Sequence, residues 1–402
     1  MDFTRSRATI WMIWIIASVF YAYQYVLRVM PSIMLTDIME KFDIDVVTFG
    51  QFSGLYYIGY AVMHIPIGLM LDRIGPRIVM TGCILLTVVG LSPLLFSEHW
   101  SYPLIGRFLI GMGSSAAILG VFKIIRMTFG EKRFPRMLSL SVTIGLIGAI
   151  YGGGPVNYML SKLGYHAVIT TFAAAGLLLA ALTYWIIPNM TTPHTESILS
   201  DIKEVFGNSR IIVSCICAGL MVGPLEGFAD VWGTSFLKTT YGFASTLAAS
   251  LPSLIFIGMC FGSPLLNWIA EKVGYHRTII GSGLAMALSF FLMVSTHLTP
   301  AVLGILFVLI GICCSYQILS IYQASTYSRE SVAGLTTAVA NMIIMTFGYA
   351  FHTAISAVIN WSGGPSSAKA LTFGTVVIPI ALCLGAAGYI VLSLKERKHQ
   401  LT

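Results

Sequence analysis

Twelve stretches of this chain are apolar over a length that can cross a bilayer, and no other feature constrains its fold as strongly. They run approximately over 9–35, 48–71, 77–96, 101–127, 135–161, 166–188, 210–237, 245–269, 277–297, 300–327, 334–360 and 370–393. A helical span of the hydrocarbon core needs about 20 apolar residues. A barrel strand needs only about 10, and alternates in polarity. The stretches therefore read as helices. Charged residues make up 10% of the 402, against roughly 25% in soluble domains. That is too little charge to coat a water-exposed surface, so lipid is the solvent for most of the protein. The expected fold class is an all-α polytopic membrane protein with twelve transmembrane helices.

An even number of spans puts both termini on one side. Sixteen of the 23 Lys and Arg residues then fall on the terminal side, Arg5, Arg7, Arg73, Arg77, Arg126 and Lys132 among them, and four (Lys41, Lys162, Lys238, Lys369) on the other. Basic residues concentrate on the cytoplasmic side of membrane proteins. Both termini are thus expected in the cytoplasm, the membrane being the cell inner (plasma) membrane. The formal net charge of +7 follows from this asymmetry and needs no nucleic-acid partner. The seven cysteines all lie in apolar runs, which argues against a disulfide framework. No His or carboxylate cluster has metal-ligand spacing and there is no phosphate-binding glycine loop. No metal, cofactor or enzymatic site is expected.

The decapeptide Gly68-Leu69-Met70-Leu71-Asp72-Arg73-Ile74-Gly75-Pro76-Arg77 forms the turn after the second run. A weaker copy, Glu271-Lys272-Val273-Gly274-Tyr275-His276-Arg277, follows the eighth run, 199 residues later from Asp72 to Glu271. This echo indicates a duplicated bundle, in which parallel repeats are related by an axis along the membrane normal. Residues 1–188 form the first six-helix half, 189–209 a polar cytoplasmic linker with a short surface helix, and 210–402 the second half. The two bundles are expected to be related by a pseudo-twofold axis.

Six plus six spans, a central cytoplasmic loop and this turn resemble the major facilitator superfamily of secondary transporters. The turn matches that family's loop signature at Gly68, Asp72, Arg73, Gly75 and Arg77. In the fourth span, Arg107, Gly111 and Gly113 match its Arg-x-x-x-Gly-x-Gly pattern. In the fifth span Gly154-Pro155 is present, but Tyr158-Met159 replaces the glycine pair of the family's antiporter signature, which weighs against an exporter. More narrowly, Tyr21-Ala22-Tyr23-Gln24-Tyr25-Val26-Leu27-Arg28 and Gly223-Pro224-Leu225-Glu226-Gly227-Phe228-Ala229-Asp230 resemble the phagosomal nutrient transporters of intracellular bacteria, which import amino acids and nucleosides. The resemblance implies that spans 1, 4, 7 and 10 line a central cavity. It also implies that Asp72, Arg73, Gly75 and Arg77, with Glu271 and Arg277, form an inner gate.

A charged side chain at the bilayer centre costs at least about 2.5 kcal/mol on insertion scales, so such residues face a cavity or a partner. Tyr21, Gln24, Tyr25 and Arg28 share one face of span 1 at helical spacing. Glu226 and Asp230, four apart, share a face of span 7. Arg28 and Asp230 lie at similar depth and are candidates for an outer gate, with packing partners in neighbouring helices as the equal alternative. Glu226 sits beside Pro224 and between Gly223 and Gly227, where the helix is expected to break. It is the first candidate for proton coupling, with Asp230 second. In span 10, Tyr316, Ser320, Gln323 and Tyr327 make a polar stripe suited either to a small polar solute or to interhelical hydrogen bonds. Lys123 in span 4 has two readings, a substrate carboxylate or snorkelling to the inner interface.

The expected function is secondary active import of a small polar nutrient, foremost an amino acid, by alternating access and proton symport. The substrate-binding candidates are Tyr21, Gln24, Tyr25, Arg28, Glu226, Tyr316, Ser320 and Gln323. The expected partners are the solute, protons and the lipid bilayer, with the protein a monomer. The alternatives are proton-coupled efflux of amphipathic compounds, or import of nucleosides or organic anions.

Overall fold

The computed structural model describes residues 7–130, 133–188, 198–329 and 332–400. Arg5, Lys132 and the 189–197 part of the expected linker lie outside them. Among the described residues all regular structure is helical. In chain order the helices are α1 (Arg7–Ile33), α2 (Leu35–Phe42), α3 (Val46–Arg73), α4 (Pro76–Phe96), α5 (Ser101–Phe129), α6 (Phe134–Gly152), α7 (Gly154–Ile186), α8 (Ile198–Gly207) and α9 (Ser209–Gly219). A π-helical segment, Gly223–Trp232, comes next. After it follow α10 (Gly233–Thr240), α11 (Ser245–Ser250), α12 (Ser253–Val273), α13 (Tyr275–Ser295), α14 (Pro300–Cys314), α15 (Tyr316–Ser325), α16 (Ala333–Trp361) and α17 (Ala368–Gln400).

Among the described residues, eleven helical stretches are long and apolar enough to cross a membrane. One of them, Arg136–Ile186, has 51 residues, about 75 Å at 1.5 Å per residue and more than twice the bilayer core. It is interrupted at Gly153 and by a left-handed residue at Gly164 (φ 79°, ψ 170°), so it holds two spans and the total is the twelve read from the sequence. Large apolar side chains point outward along the spans, Leu178 at 63% exposure and Ile305 at 70%. In water such a surface would drive association; in lipid it is the solvated surface.

The duplication is sharper in the backbone than in the sequence. Three pairs of positive-φ residues stand 199 apart: Asp43 with Gly242, Gly75 with Gly274, and Gly164 with Gly363. Gly75 (φ 97°, ψ 159°) and Gly274 (φ 96°, ψ 147°) adopt nearly one conformation before two helices of equal length, α4 and α13. A side chain there would meet the left-handed penalty, which explains why glycine survives in the weaker copy of the turn. The first residues of α5 and α14 (Ser101 and Pro300) and of α6 and α16 (Phe134 and Ala333) keep the same spacing.

The chain divides into two compact units, 1–30 with 58–195 and 31–57 with 196–402. The boundaries cut α1 after Met30 and α3 after Tyr57. In the first unit α4 packs on α5 and α7; in the second α12 packs on α14 and α13 on α17. With no hydrophobic drive between helices in lipid, close approach of small residues supplies the packing. Gly258 on α12 and Gly311 on α14 meet across such a contact. A Cβ on Gly311 would overlap the Ile255 carbonyl oxygen, and one on Gly258 the Val308 oxygen. The first unit repeats the device at Gly59, whose Cβ would overlap the Phe108 oxygen.

Of the expected linker, residues 198–207 form α8. Arg329, beyond α15, donates from Nε to Glu204 Oε1 at 3.0 Å and from a second nitrogen to the other oxygen. Asp201 lies 3.8 Å away.

Overpacking a tight contact costs about 1–3 kcal/mol. Gly311→Ala is therefore expected to lower the unfolding temperature in detergent, whereas Gly281→Ala, where a Cβ meets nothing within 4 Å, leaves it unchanged or raises it. Equal effects at the two positions would refute the close-packing account.

Candidate functional site

Span 1 presents its polar face as the spacing requires. Gln24, Tyr25 and Arg28 are buried. The Arg28 guanidinium stands 5.1 Å over the Tyr25 ring, and Tyr21 meets Tyr25 edge to face at 5.2 Å. Tyr21 also packs against Gly145 of α6, where no Cβ would fit. Tyr23, on the opposite side, donates to the Phe172 carbonyl at 2.9 Å and ties α1 to α7.

Span 7 breaks where Pro224 removes a backbone donor. α9 ends at Gly219, and after three intervening residues Gly223–Trp232 wind as a ten-residue π-helix, which then hands over to α10. π-segments of this kind cluster at functional sites. All ten residues are buried, Glu226 at 0% exposure and Asp230 at 1%.

The Tyr57 phenol donates to Asp230 Oδ2. The Tyr57 ring stacks on His352 of α16 at 5.4 Å and 28°, and lies against Gly348, where a Cβ would sit 2.5 Å from its Cγ. Tyr57 was not among the residues the sequence singled out. The only signal was a Tyr-Tyr pair in an apolar run, and its partner is 173 residues away.

The span-10 stripe begins just beyond a helix break and outruns the helix it lies on: α14 ends at Cys314, Tyr316 begins α15, and Tyr327 lies past its last residue, Ser325. Tyr316 is buried and donates to the Ala218 carbonyl at 2.7 Å. Ser320 is buried. Gln323 donates to the Tyr327 hydroxyl at 3.1 Å, which stands 3.4 Å from His276 Nε2. Tyr316 thus joins two helices, and Gln323 belongs to a hydrogen-bonded group with Tyr327 and His276.

At the decapeptide turn, Lys123 Nζ reaches Asp72 Oδ1 at 2.5 Å. Lys123 is thereby engaged by a carboxylate of its own chain, a partner that neither sequence reading offered. Arg77 donates from Nε to the Ile187 carbonyl at 2.7 Å and stands 5.8 Å over the Tyr184 ring. Arg73 is exposed. These contacts tie the turn to α5 and the end of α7 within the first unit. In the second copy Glu271 and Arg277 are exposed, and Lys272 lies 3.6 Å over Trp268. Tyr322, at the Lys123-equivalent position, packs on Tyr275 at 5.0 Å. The copy has kept the glycine turn and exchanged the ion pair for an aromatic contact.

In the fourth-span motif, Arg107 is 2% exposed and donates to the carbonyls of Leu27 at 2.6 Å and Arg28 at 3.0 Å. Gly111 and Gly113 are buried on α5. Gly113 lies against the Cys83 carbonyl of α4. Among the described residues no group of three or more His, Cys, Asp or Glu is placed to hold a metal ion.

A family model described as the Major Facilitator Superfamily matches residues 13–353. The chain is 23% identical over 335 residues to the chloramphenicol resistance protein CraA of Acinetobacter baumannii, covering 78% of each chain. It is 23% identical over 273 residues to the lysosomal dipeptide transporter MFSD1 of Danio rerio, covering 61% of this chain and 58% of that one. Among solved structures, a bacterial homolog of the human lysosomal transporter Spinster, inward-facing and occupied, superposes with a TM-score of 0.75. It has 16% identity, over 97% of this chain and 98% of that one. At that identity the likeness speaks to the fold.

Two outcomes are expected. Tyr57→Phe keeps the ring packing but removes the donor to Asp230. It should destabilise the protein by about 1–3 kcal/mol, the range for a buried hydrogen bond to a neutral or charged group, read by thermal unfolding in detergent; an unchanged midpoint would discount the contact. The second concerns the α8 contact, which lies outside the spans. The Arg329 hydrogen bond holds the Glu204 carboxyl below its ordinary range. A depressed folded-state value contributes stability at pH above the ordinary range, lost as pH falls through the lowered value. The stability difference between wild type and Glu204→Gln should therefore be small at pH 7, as for an exposed pair, and vanish in acid.

Proposed function

We propose, from the premise that the chain belongs to the Major Facilitator Superfamily, that it imports a small polar nutrient by proton symport, with an amino acid as the first substrate class to test. As a member of that family it is a multi-pass membrane transporter of small molecules, not an enzyme. The finer reading rests on one observation above all. Two carboxylates, Glu226 and Asp230, are fully buried on one π-helical turn, in a span that has given up regular helix to hold them. Such groups inside a membrane are expensive, and characteristically mark ion and substrate paths.

Glu226 is proposed as the proton-coupling group. Asp230, held by Tyr57, is proposed as the second coupling site and an outer-gate residue. The Tyr21, Gln24, Tyr25 and Arg28 face supplies hydrogen-bond donors and one cation, which suits a solute carrying a carboxylate. Ser320 and Gln323 are proposed to contribute from span 10. Tyr316 is retained as a substrate candidate only through its ring, because its hydroxyl is committed to Ala218. Asp72, Arg73, Gly75, Arg77, Glu271 and Arg277 are proposed as inner-gate elements. Residues 1–188 and 210–402 are proposed as the two halves that exchange access, with both termini in the cytoplasm and the protein in the inner membrane as a monomer.

A second reading, proton-coupled efflux, is favoured by the similarity to CraA. Against it stand the polar character of the span-1 face and Tyr158-Met159 in the fifth span.

Proteoliposomes given labelled amino acids, nucleosides and organic acids, with and without an inward proton gradient, separate the readings. Gradient-stimulated uptake of an amino acid is expected. Glu226→Gln is expected to reduce it at least about tenfold, the effect of losing about 1.4 kcal/mol, while the protein still folds. Extrusion of amphipathic drugs without uptake of any solute in the panel would replace import by efflux.

A further inference from the structure

Arg107 lies in the fourth span, and two of its guanidinium hydrogen bonds go to backbone rather than to a side chain. It donates to two backbone carbonyls of α1, those of Leu27 and Arg28. In an α-helix the Leu27 carbonyl accepts from the N–H four residues on. That residue is Pro31, which has no N–H. In lipid no water replaces the missing donor. Arg107 Nη1 lies 2.6 Å from the Leu27 oxygen and gives it a donor, and Nη2 reaches the next carbonyl at 3.0 Å. A planar, forked donor is pre-organised to hold two adjacent carbonyls in this way.

The duplication supplies an internal control. Carried back along span 1 from the Asp43 and Gly242 pair, the 199-residue offset sets Asp230 opposite Pro31 and Glu226 opposite Leu27. The same offset sets Leu306 opposite Arg107. Leu306 is on α14, which packs on the π-helical segment. The half with the proline has the arginine. The half whose counterpart keeps its N–H has leucine.

We propose that Arg107 is a positioning residue that stands in for the backbone donor missing at Pro31. It keeps α1 helical up to the proline while leaving the helix able to bend there. The division between the two compact units falls between Met30 and Pro31, so the proline lies where the chain leaves one unit for the other. This assignment concerns α1 and α5 alone, and it stands or falls independently of the solute and of proton coupling.

The test is a double-mutant cycle on the full-length protein, read by thermal unfolding in detergent. Arg107→Leu is expected to lower the midpoint by roughly 2–4 °C, the scale of a lost buried partner in a chain of this size. Pro31→Ala restores the N–H. Proline-to-alanine changes in helices stabilise on their own account, so the diagnostic is coupling. The gain from Pro31→Ala should be at least about twice as large in the Arg107→Leu background as in wild type, where coupled neighbours depart from additivity. An equal gain in both backgrounds overturns the proposal. If Arg107→Leu does not fold, Arg107→Lys takes its place. It keeps the charge but not the fork, and it should still be destabilised and still be rescued by Pro31→Ala. Wild-type stability of Arg107→Lys would assign the residue a purely electrostatic role and reject the stand-in.

Discussion

Everything in this molecule answers to the backbone hydrogen bond in a medium without water. A peptide group in lipid must find its partner within the protein, and helices are the solution for nearly the whole chain. Where the sequence breaks a helix, the structure has to compensate. At Pro224 the compensation is a change of winding, α to π, that buries two carboxylates. At Pro31 it is a side chain from another span, Arg107. The polar residues of the spans are therefore not scattered at random. Several of the hydrogen bonds between spans end on backbone carbonyls: Tyr23 on Phe172, Tyr316 on Ala218, Arg107 on Leu27 and Arg28.

Close packing follows from the same constraint. Helices that gain nothing by hiding from lipid must gain from contact with each other. Glycine at Gly59, Gly258 and Gly311 brings backbones together, and Gly348 makes room for the Tyr57 ring. The duplication then shows which features are architectural. Turn conformations and helix starts recur at an offset of 199 residues, while the ion pair at the turn does not. Asp72 and Lys123 pair in the first copy, whereas Tyr275 and Tyr322 stack in the second. Packing must be kept in both halves for the fold to form. Charges are free to diverge, and their divergence is where the halves acquire separate tasks.

Much of this was legible in advance because its determinants are local. Apolar length gave the spans, arginine placement their expected sidedness, and a charged glycine turn the repeat. The broken helix around Glu226 followed from Gly223, Pro224 and Gly227. What escaped was long-range partnership. Lys123 offered a choice between substrate and interface, and the structure places it on Asp72, 51 residues away. The stripe of Tyr316, Ser320, Gln323 and Tyr327 looked continuous because helical spacing was assumed to its end, whereas α15 stops at Ser325 and Tyr327 lies beyond it. Tyr57 carried no mark beyond its pairing with Tyr56, since an aromatic in an apolar run is indistinguishable from its neighbours until a carboxylate is found beside it.

The sequence by itself determined the helical membrane class, the span count and the register of the repeat. These depend on side-chain hydrophobicity and on residues such as glycine and proline, whose effects act within a few residues. Only the tertiary structure decided which polar group serves which. A buried donor or acceptor is satisfied by whatever the packing of distant helices brings within 3 Å or so. Tyr57 on Asp230, Lys123 on Asp72 and Arg107 on the carbonyls before Pro31 are results of that packing, and no periodicity along the chain encodes them.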